Sequence, residues 1–219
     1  MDFASKDFPQ KLYSNHGRQL LLIAGSALFV LVALLYLGQA PAPIELNRHH
    51  QLDWASLKQR WAQGDMVVLV RHLERCDHTD APCLSGGSGI TRRAVAVARN
   101  LGQQFRQLGL ANTEVLNSPT ERAVQSANFI FGATSVTRDW LATCRNSMDK
   151  DVFAHKQPGH NLILLTHSEC IAEFEKAMHL KPVTLGYGSA LFITDDPATA
   201  TPQVLGYIDS DDWQEAKGQ

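Results

Sequence analysis

Residues 66–75 read Met66-Val67-Val68-Leu69-Val70-Arg71-His72-Leu73-Glu74-Arg75. The first five form an unbroken apolar run, the pattern of a strand covered on both faces within a parallel sheet. An Arg-His pair follows at once, then a glutamate and a second arginine. In open α/β sheets ligands bind beyond the carboxyl ends of the strands. This stretch therefore predicts both a central strand and the place to look for chemistry.

The pattern repeats outward. Asn161–Thr166 (NLILLT) is a second continuous apolar run, followed by His167-Ser168-Glu169 and a helix to about His179. Glu114–Leu116 reads as a short strand, and Asn117-Ser118-Pro119-Thr120-Glu121-Arg122 leads from it into a helix, Thr120–Phe131. Thr91 is placed to cap a helix whose apolar face includes Val95, Ala98, Leu101, Phe105 and Leu108. Asp53 is placed to cap a shorter one with Trp54, Leu57 and Trp61, ended by Gly64. Val136 marks a further short strand, and Ala190–Thr194 and Gln203–Ile208 close the chain as strands. This alternation predicts a three-layer α/β domain with a largely parallel sheet.

Three predicted strand ends thus bring His72, His167, Arg71, Arg75 and Arg122 to one sheet edge. The group suits phosphoryl transfer. Guanidinium forks match the oxygens of a phosphate dianion. A neutral imidazole can attack phosphorus and carry the phosphoryl group, splitting one displacement into two. The cationic side chains do the work a metal would otherwise do, so no metal or cofactor is called for. Each residue also has a plainer reading. Arg75 could pair with Asp77 on the surface, Arg122 could be a solvated helix residue, His167 a core histidine, and Glu74 a partner that orients an arginine. His78, His155, His160 and His179 read as ordinary polar residues.

Val70–Arg75, Ser118–Ala127 and Leu165–His167 resemble, in order and spacing, three motifs of the histidine phosphatase superfamily, also called the phosphoglycerate mutase-like fold. The resemblance spans roughly residues 65–195. It implies a three-layer α/β/α domain in which His72 is the nucleophile. Arg71, Arg75 and Arg122 would bind phosphate, and His167 would complete the pocket. Two departures bear on mechanism. Leu73 replaces the usual glycine and is expected to tighten the space beside the phosphate. Ser168 stands where one branch has an aspartate, and residues 140–146 hold no glutamate, where another branch has one. The general acid is left open among Glu169, Glu74 and Asp77. Arg71–Asp77, Cys83-Leu84-Ser85, Gly89-Ile90-Thr91, Leu141–Cys144 and Thr166-His167 followed by Cys170 also resemble an exported subgroup that acts on a phosphorylated heptose of the lipopolysaccharide core. That resemblance implies a phosphorylated sugar as substrate. A broad-specificity periplasmic phosphatase and a non-catalytic phosphate-binding protein are the alternatives.

Composition agrees with one ordinary domain plus an extra segment. The chain has 219 residues, 44% hydrophobic and 19% charged, with 20 Lys and Arg against 22 Asp and Glu. That is too apolar for a disordered chain and too polar for a multi-span membrane protein. A net charge of −2 argues against a basic nucleic-acid coat. The extra segment is Leu20–Leu37, uncharged, and about 27 Å long as a helix. A cleaved signal ending near Gly38-Gln39-Ala40 is the rival to an anchor, but Pro41 disfavours cleavage and the run is long for a signal. Lys6, Lys11 and Arg18 precede it and Arg48 is the first cation after it, so the N-terminus is expected in the cytoplasm and the remainder in the periplasm, held to the inner membrane by one helix. The expected division is a tail at 1–18, an anchor at 19–38, a linker and short helix at 39–64, and the phosphatase domain at 65–219. Within the linker, residues 39–52 read as a tether, and His49-His50 as solvated. Four cysteines, Cys76, Cys83, Cys144 and Cys170, all on the exported side, predict two disulfides with three connectivities open. Proximity favours Cys76–Cys83, leaving Cys144–Cys170. A zinc site using Cys76, His78 and Cys83 is the alternative, although its spacing fits no standard pattern.

Overall fold

The computed structural model describes residues 15–47, 53–195 and 201–213. Lys6, Lys11, Arg48, His49 and His50 lie outside the described residues. The chain divides into two units, Met1–Ala40 and Pro41–Gln219.

The first unit is one helix, α1 (Asn15–Leu37). Its stretch Gly17–Leu34 has a mean hydropathy of 1.9 with none of it buried, so by length and composition it can cross a membrane.

The second unit is built on a six-stranded sheet. In chain order it contains α2 (Trp54–Gln63), β1 (Met66–Arg71), α3 (Ala94–Leu108), β2 (Thr113–Asn117), α4 (Glu121–Phe131), β3 (Val136–Thr137), α5 (Met148–His155), β4 (Asn161–Thr166), α6 (Ser168–Ala177), β5 (Ala190–Thr194) and β6 (Gln203–Ile208). The sheet order is β3-β2-β4-β1-β5-β6. The four strands from β3 to β1 run parallel, and β5 and β6 are antiparallel to their neighbours. Alternate residues of β1 enter opposite cores. Met66, Val68 and Val70 join a cluster with α2, α3 and α4 residues such as Trp61, Phe105 and Ile130. Val67 and Leu69 join another with Met148, Val152, Ile171 and Phe174 of α5 and α6. Two buried faces explain why β1 reads as continuous rather than alternating. The three-layer α/β/α fold is as the sequence predicts.

The helix ends follow local chemistry. Asp53 accepts from the Ala55 and Ser56 N–H groups, and Gly64 closes α2 in the left-handed region at φ 77°. Thr91 Oγ1 accepts from Ala94 N at 3.2 Å, across a turn that precedes the regular helix. Helix α6 stops at Ala177, and His179 takes the left-handed conformation (φ 58°) just beyond it.

One expectation changes. Residues 41–47 are docked rather than a free tether. Leu46 donates to Tyr207 O at 2.8 Å, Ile44 O accepts from Tyr207 N at 2.9 Å, and the Leu46 side chain is 4% exposed. Strand β6 lies at the sheet edge with unpaired backbone groups, which this segment covers.

Both disulfides pair as proximity predicted. Cys76 is bonded to Cys83 and Cys144 to Cys170. The first bond takes up the thiolates that the zinc alternative required.

Candidate active site

Strand register assembles the site. Arg71 of β1 pairs with Thr166 of β4, and Asn117 of β2 pairs with Leu165. The ladder continues one residue past each strand. His72 N donates to Thr166 O and Ser118 N to Leu165 O, each at 2.9 Å. His72, His167 and Ser118 therefore emerge side by side at the carboxyl edge.

His72 is 3% exposed and His167 2%. Their rings meet edge to face with centroids 5.3 Å apart. His72 Nδ1 lies 2.8 Å from the Leu73 carbonyl oxygen, which only accepts, so Nδ1 carries the proton and Nε2 the lone pair. Arg122 joins the two rings. Its Nε donates to His72 Nε2 at 3.1 Å, and its Nη2 donates to His167 Nδ1 at 3.2 Å. That leaves His167 Nε2 as the donor to Ser118 Oγ, 2.8 Å away. Burial, opposed by the Leu73 hydrogen bond and assisted by His167, Arg122 and Arg71, pushes the His72 pKa down to about 3. Burial and then Arg122 push His167 down to about 4, against a partial pull from Glu169. Both imidazoles are neutral at neutral pH, as a nucleophile requires.

Arg71 sits in a cradle formed by residues 185–189. Its N donates to Ser189 O at 3.0 Å and its carbonyl accepts from Gly188 N at 3.1 Å. Its Nη1 donates to Leu185 O. Its guanidinium carbon lies 4.1 Å from the Tyr187 ring centroid. The same ring stands 5.7 Å from His72. Arg71 Nε is buried with no hydrogen-bond partner among the described residues. An orphaned buried donor whose charge, like that of Arg122, acts on His72 fits a site built for an anion.

Leu73 does not crowd this space as expected from sequence. Its side chain is 1% exposed and belongs to the apolar cluster under α3. Gly188 leaves room for it: a Cβ there, at φ 75°, would lie 3.1 Å from Leu73 Cδ2.

Arg75 is paired as its plainer reading foresaw. Its Nε and Nη2 reach the Asp77 carboxylate at 2.8 and 2.5 Å. Arg75 in turn holds Asp77 down to about 2, so Asp77 is ionised. Glu74 accepts from Thr91 Oγ1 at 2.8 Å and from Arg93 Nε at 2.7 Å, with a further bond from Arg93 Nη2. The Arg93 contact outweighs burial and lowers the Glu74 carboxyl. Glu74 thus serves the packing of the loop. Glu169, in the first turn of α6, lines a cavity of about 700 Å³ with Ala142–Asn146 and Glu173. Burial raises Glu169, but its own backbone N–H, His167, the Ser168 hydroxyl and Arg122 together bring it below the ordinary carboxylate value.

The site therefore unites His72, His167, Arg71 and Arg122, with Arg75 and Glu169 near enough to act on the Arg122 charge. Sequence reading assigned no role to Ser118 or Tyr187. Ser118 stood within a quoted motif. Tyr187 had only the Gly186-Tyr187-Gly188 punctuation before β5 as a signal.

A neutral histidine pair bridged by one arginine, at the carboxyl edge of this sheet, defines a phosphatase of the histidine type. Solved structures share the fold. The protein histidine phosphatase SixA complexed with tungstate superposes with a TM-score of 0.53 at 12% identity, covering 67% of this chain and 97% of that one. Phosphoserine phosphatase from Entamoeba histolytica gives 0.52 at 12% identity, covering 68% and 98%. No family model matches the chain. Curated relatives come nearer. The lipopolysaccharide core heptose(II)-phosphate phosphatase of Escherichia coli O139:H28 is 33% identical over 153 residues, 68% of this chain and 75% of that protein. The Salmonella arizonae protein of the same name is 33% identical over 129 residues, 58% of this chain and 64% of the relative's length. The chain belongs to the lipopolysaccharide core heptose(II)-phosphate phosphatase family, and with it to the histidine phosphatases.

Proposed function

We propose that this protein removes phosphate from a heptose of the lipopolysaccharide core by way of a phosphohistidine on His72, at the periplasmic face of the inner membrane. The observation that carries the mechanism is the His72 tautomer. Nδ1–H is spent on Leu73 O, which leaves the Nε2 lone pair among Arg122, His167 and Arg71.

In the structure that lone pair accepts from Arg122. A phosphate dianion is a stronger acceptor than a neutral imidazole, so its oxygens take over the Arg122 donors and free Nε2. Arg71 Nε, Arg122 and Arg75 then face the equatorial oxygens, with His167 beside them. Nε2 attacks phosphorus, the ester P–O bond breaks, and the leaving oxygen takes a proton. Glu169 is assigned as that donor, because Glu74 and Asp77 are held in ion pairs elsewhere. Water then attacks phosphorus and gives a proton back to Glu169, the P–N bond breaks, its electron pair returns to Nε2, and inorganic phosphate departs.

The substrate assignment rests on the curated relatives' name, since a fold does not specify a leaving group. The location rests on α1, on the basic residues before it and on the two disulfides, which persist in oxidising compartments. Residues 1–18 are then the cytoplasmic tail, 19–38 the anchor, 39–64 the connection and 65–219 the catalytic domain.

The test is to label full-length protein with a phosphorylated substrate and quench in alkali, where a P–N bond survives. Wild type should carry a phosphohistidine and His72→Ala none, with turnover reduced by several orders of magnitude. Equal labelling in both would remove His72 from the mechanism. Glu169→Gln should slow a sugar phosphate much more than an aryl phosphate, whose leaving group needs little protonation.

A further inference from the structure

Apart from Glu169, the residues of the cavity beside it take no part in the phosphoryl chemistry. It encloses about 700 Å³ and is lined by Thr143, Cys144, Arg145, Asn146, Glu169 and Glu173, with Ala142. That volume is within the range of small-molecule sites, about 300–1,000 Å³. Its walls are unusually polar for such a site, because hydroxyl, amide, guanidinium and carboxylate groups supply nearly half of them. One wall is the turn at 142–146, and the other is the first two turns of α6.

The turn is fixed on both sides. Cys144 is bonded to Cys170 of α6. Leu141 O accepts from Thr166 Oγ1 at 2.8 Å, which ties the start of the turn to the end of β4. Asn146 adopts φ 59°, the left-handed region that asparagine tolerates better than most residues. Glu173 is held by Lys176 at 2.8 Å. Glu169, two residues beyond His167 in the first turn of α6, carries the cavity up to the phosphate pocket.

We infer that this cavity is the subsite for the leaving alcohol, that its ligand is a neutral polyol such as a sugar ring, and that Arg145 and Asn146 determine specificity for it. Carboxylates accept from vicinal hydroxyls, while the guanidinium and the amide donate to ring and hydroxyl oxygens. A planar aryl group meets only the apolar part of these walls and leaves their polar groups unpaired. A polyol leaves fewer of them unpaired, and pairing of such groups is what a polar site discriminates by. The inference rests on the phosphatase reading above and adds to it where the sugar sits.

Full-length protein is assayed with a phosphorylated core oligosaccharide and with p-nitrophenyl phosphate. Arg145→Ala and Asn146→Gly, the latter keeping the left-handed backbone, should each lower the ratio of kcat/KM for the oligosaccharide to that for the aryl ester by about tenfold, mainly through KM. The dephosphorylated oligosaccharide should inhibit wild type and lose about tenfold in inhibition constant with either variant. An unchanged ratio and unchanged inhibition in both variants would overturn the subsite. Failure of wild type to hydrolyse even the aryl ester is a different result and would overturn the phosphatase reading instead.

Discussion

Burial of two neutral histidines makes stability depend on pH. In the unfolded chain each has its ordinary value of 6.5, whereas folding lowers His72 to about 3 and His167 to about 4. Between pH 6.5 and those values the unfolded state binds protons that the native state refuses, so stability falls as pH falls. From pH 7 to pH 5 each histidine should cost about 2 kcal/mol, from about 1.4 kcal/mol per pH unit below the unfolded value. The pair should therefore cost about 4 kcal/mol, a large part of the stability of an ordinary domain. Glu175 works in the opposite sense. Its side chain is buried, and burial, against a hydrogen bond from Val183 N, raises it from 4.5 to about 7. Native protein then binds the extra proton between pH 4.5 and 7, so acidification returns roughly 2 kcal/mol over the same interval.

The assay is urea unfolding of full-length protein in detergent at pH 7 and pH 5, for wild type, His72→Ala and Glu175→Gln. His72→Ala should reduce the acid loss by about 2 kcal/mol, and Glu175→Gln should increase it by a similar amount. Absolute stabilities will differ among the three, but the difference between the two pH values isolates the titrating group. Parallel pH dependence in wild type and His72→Ala would refute the reasoning, and so would a His72 resonance that titrates near pH 6.5 in the native state.

Arg122→Ala removes the donor to both histidines and should lower kcat by about 10²–10³, the loss typical of one preorganised anion donor; steady-state kinetics check this. Arg122→Lys should rescue little, because an ammonium cannot reach two ring nitrogens at once. Tyr187→Leu frees the Arg71 guanidinium and should weaken binding of tungstate or phosphate by about 0.5–2 kcal/mol, while Tyr187→Phe should bind as wild type does; calorimetric titration separates the two. Removal of the Cys144–Cys170 bridge, which closes 26 residues, should cost about 3.5 kcal/mol, against about 2.4 kcal/mol for Cys76–Cys83, which closes seven, as read by denaturation of paired Cys→Ala variants.

The sequence was most legible where periodicity and burial coincide. Strands β1 and β4 announce themselves because both faces are covered, and α3 because its stripe meets one core only. Helix α5 escaped notice. It is eight residues long and buries only Met148 and Val152, too few positions to set a period. The docking of residues 41–47 was equally hidden. Two prolines read as a tether, and what holds the segment is backbone pairing to an edge strand some 160 residues later, which leaves no local trace. Leu73 shows a related limit. Its replacement of glycine looked like steric intrusion, but whether a side chain enters a pocket or a core depends on the neighbour opposite, here Gly188.

The proton donor is the clearest case. Glu74, Asp77 and Glu169 are equivalent in sequence, since each follows an Arg-His or Thr-His segment by a few residues. The fold separates them by what each faces: Arg93 for Glu74, Arg75 for Asp77, and a cavity for Glu169. Glu169 is itself held below its ordinary value, in part by His167 and Arg122. A bound phosphate dianion would bring negative charge against those same two groups. It would offset their pull on Glu169 and add a like charge nearby, and both effects raise a carboxyl pKa. Substrate binding should therefore recruit the proton that the leaving group needs. On this account the charge of the substrate creates the acid, at a position where the protein's own groups favour a carboxylate.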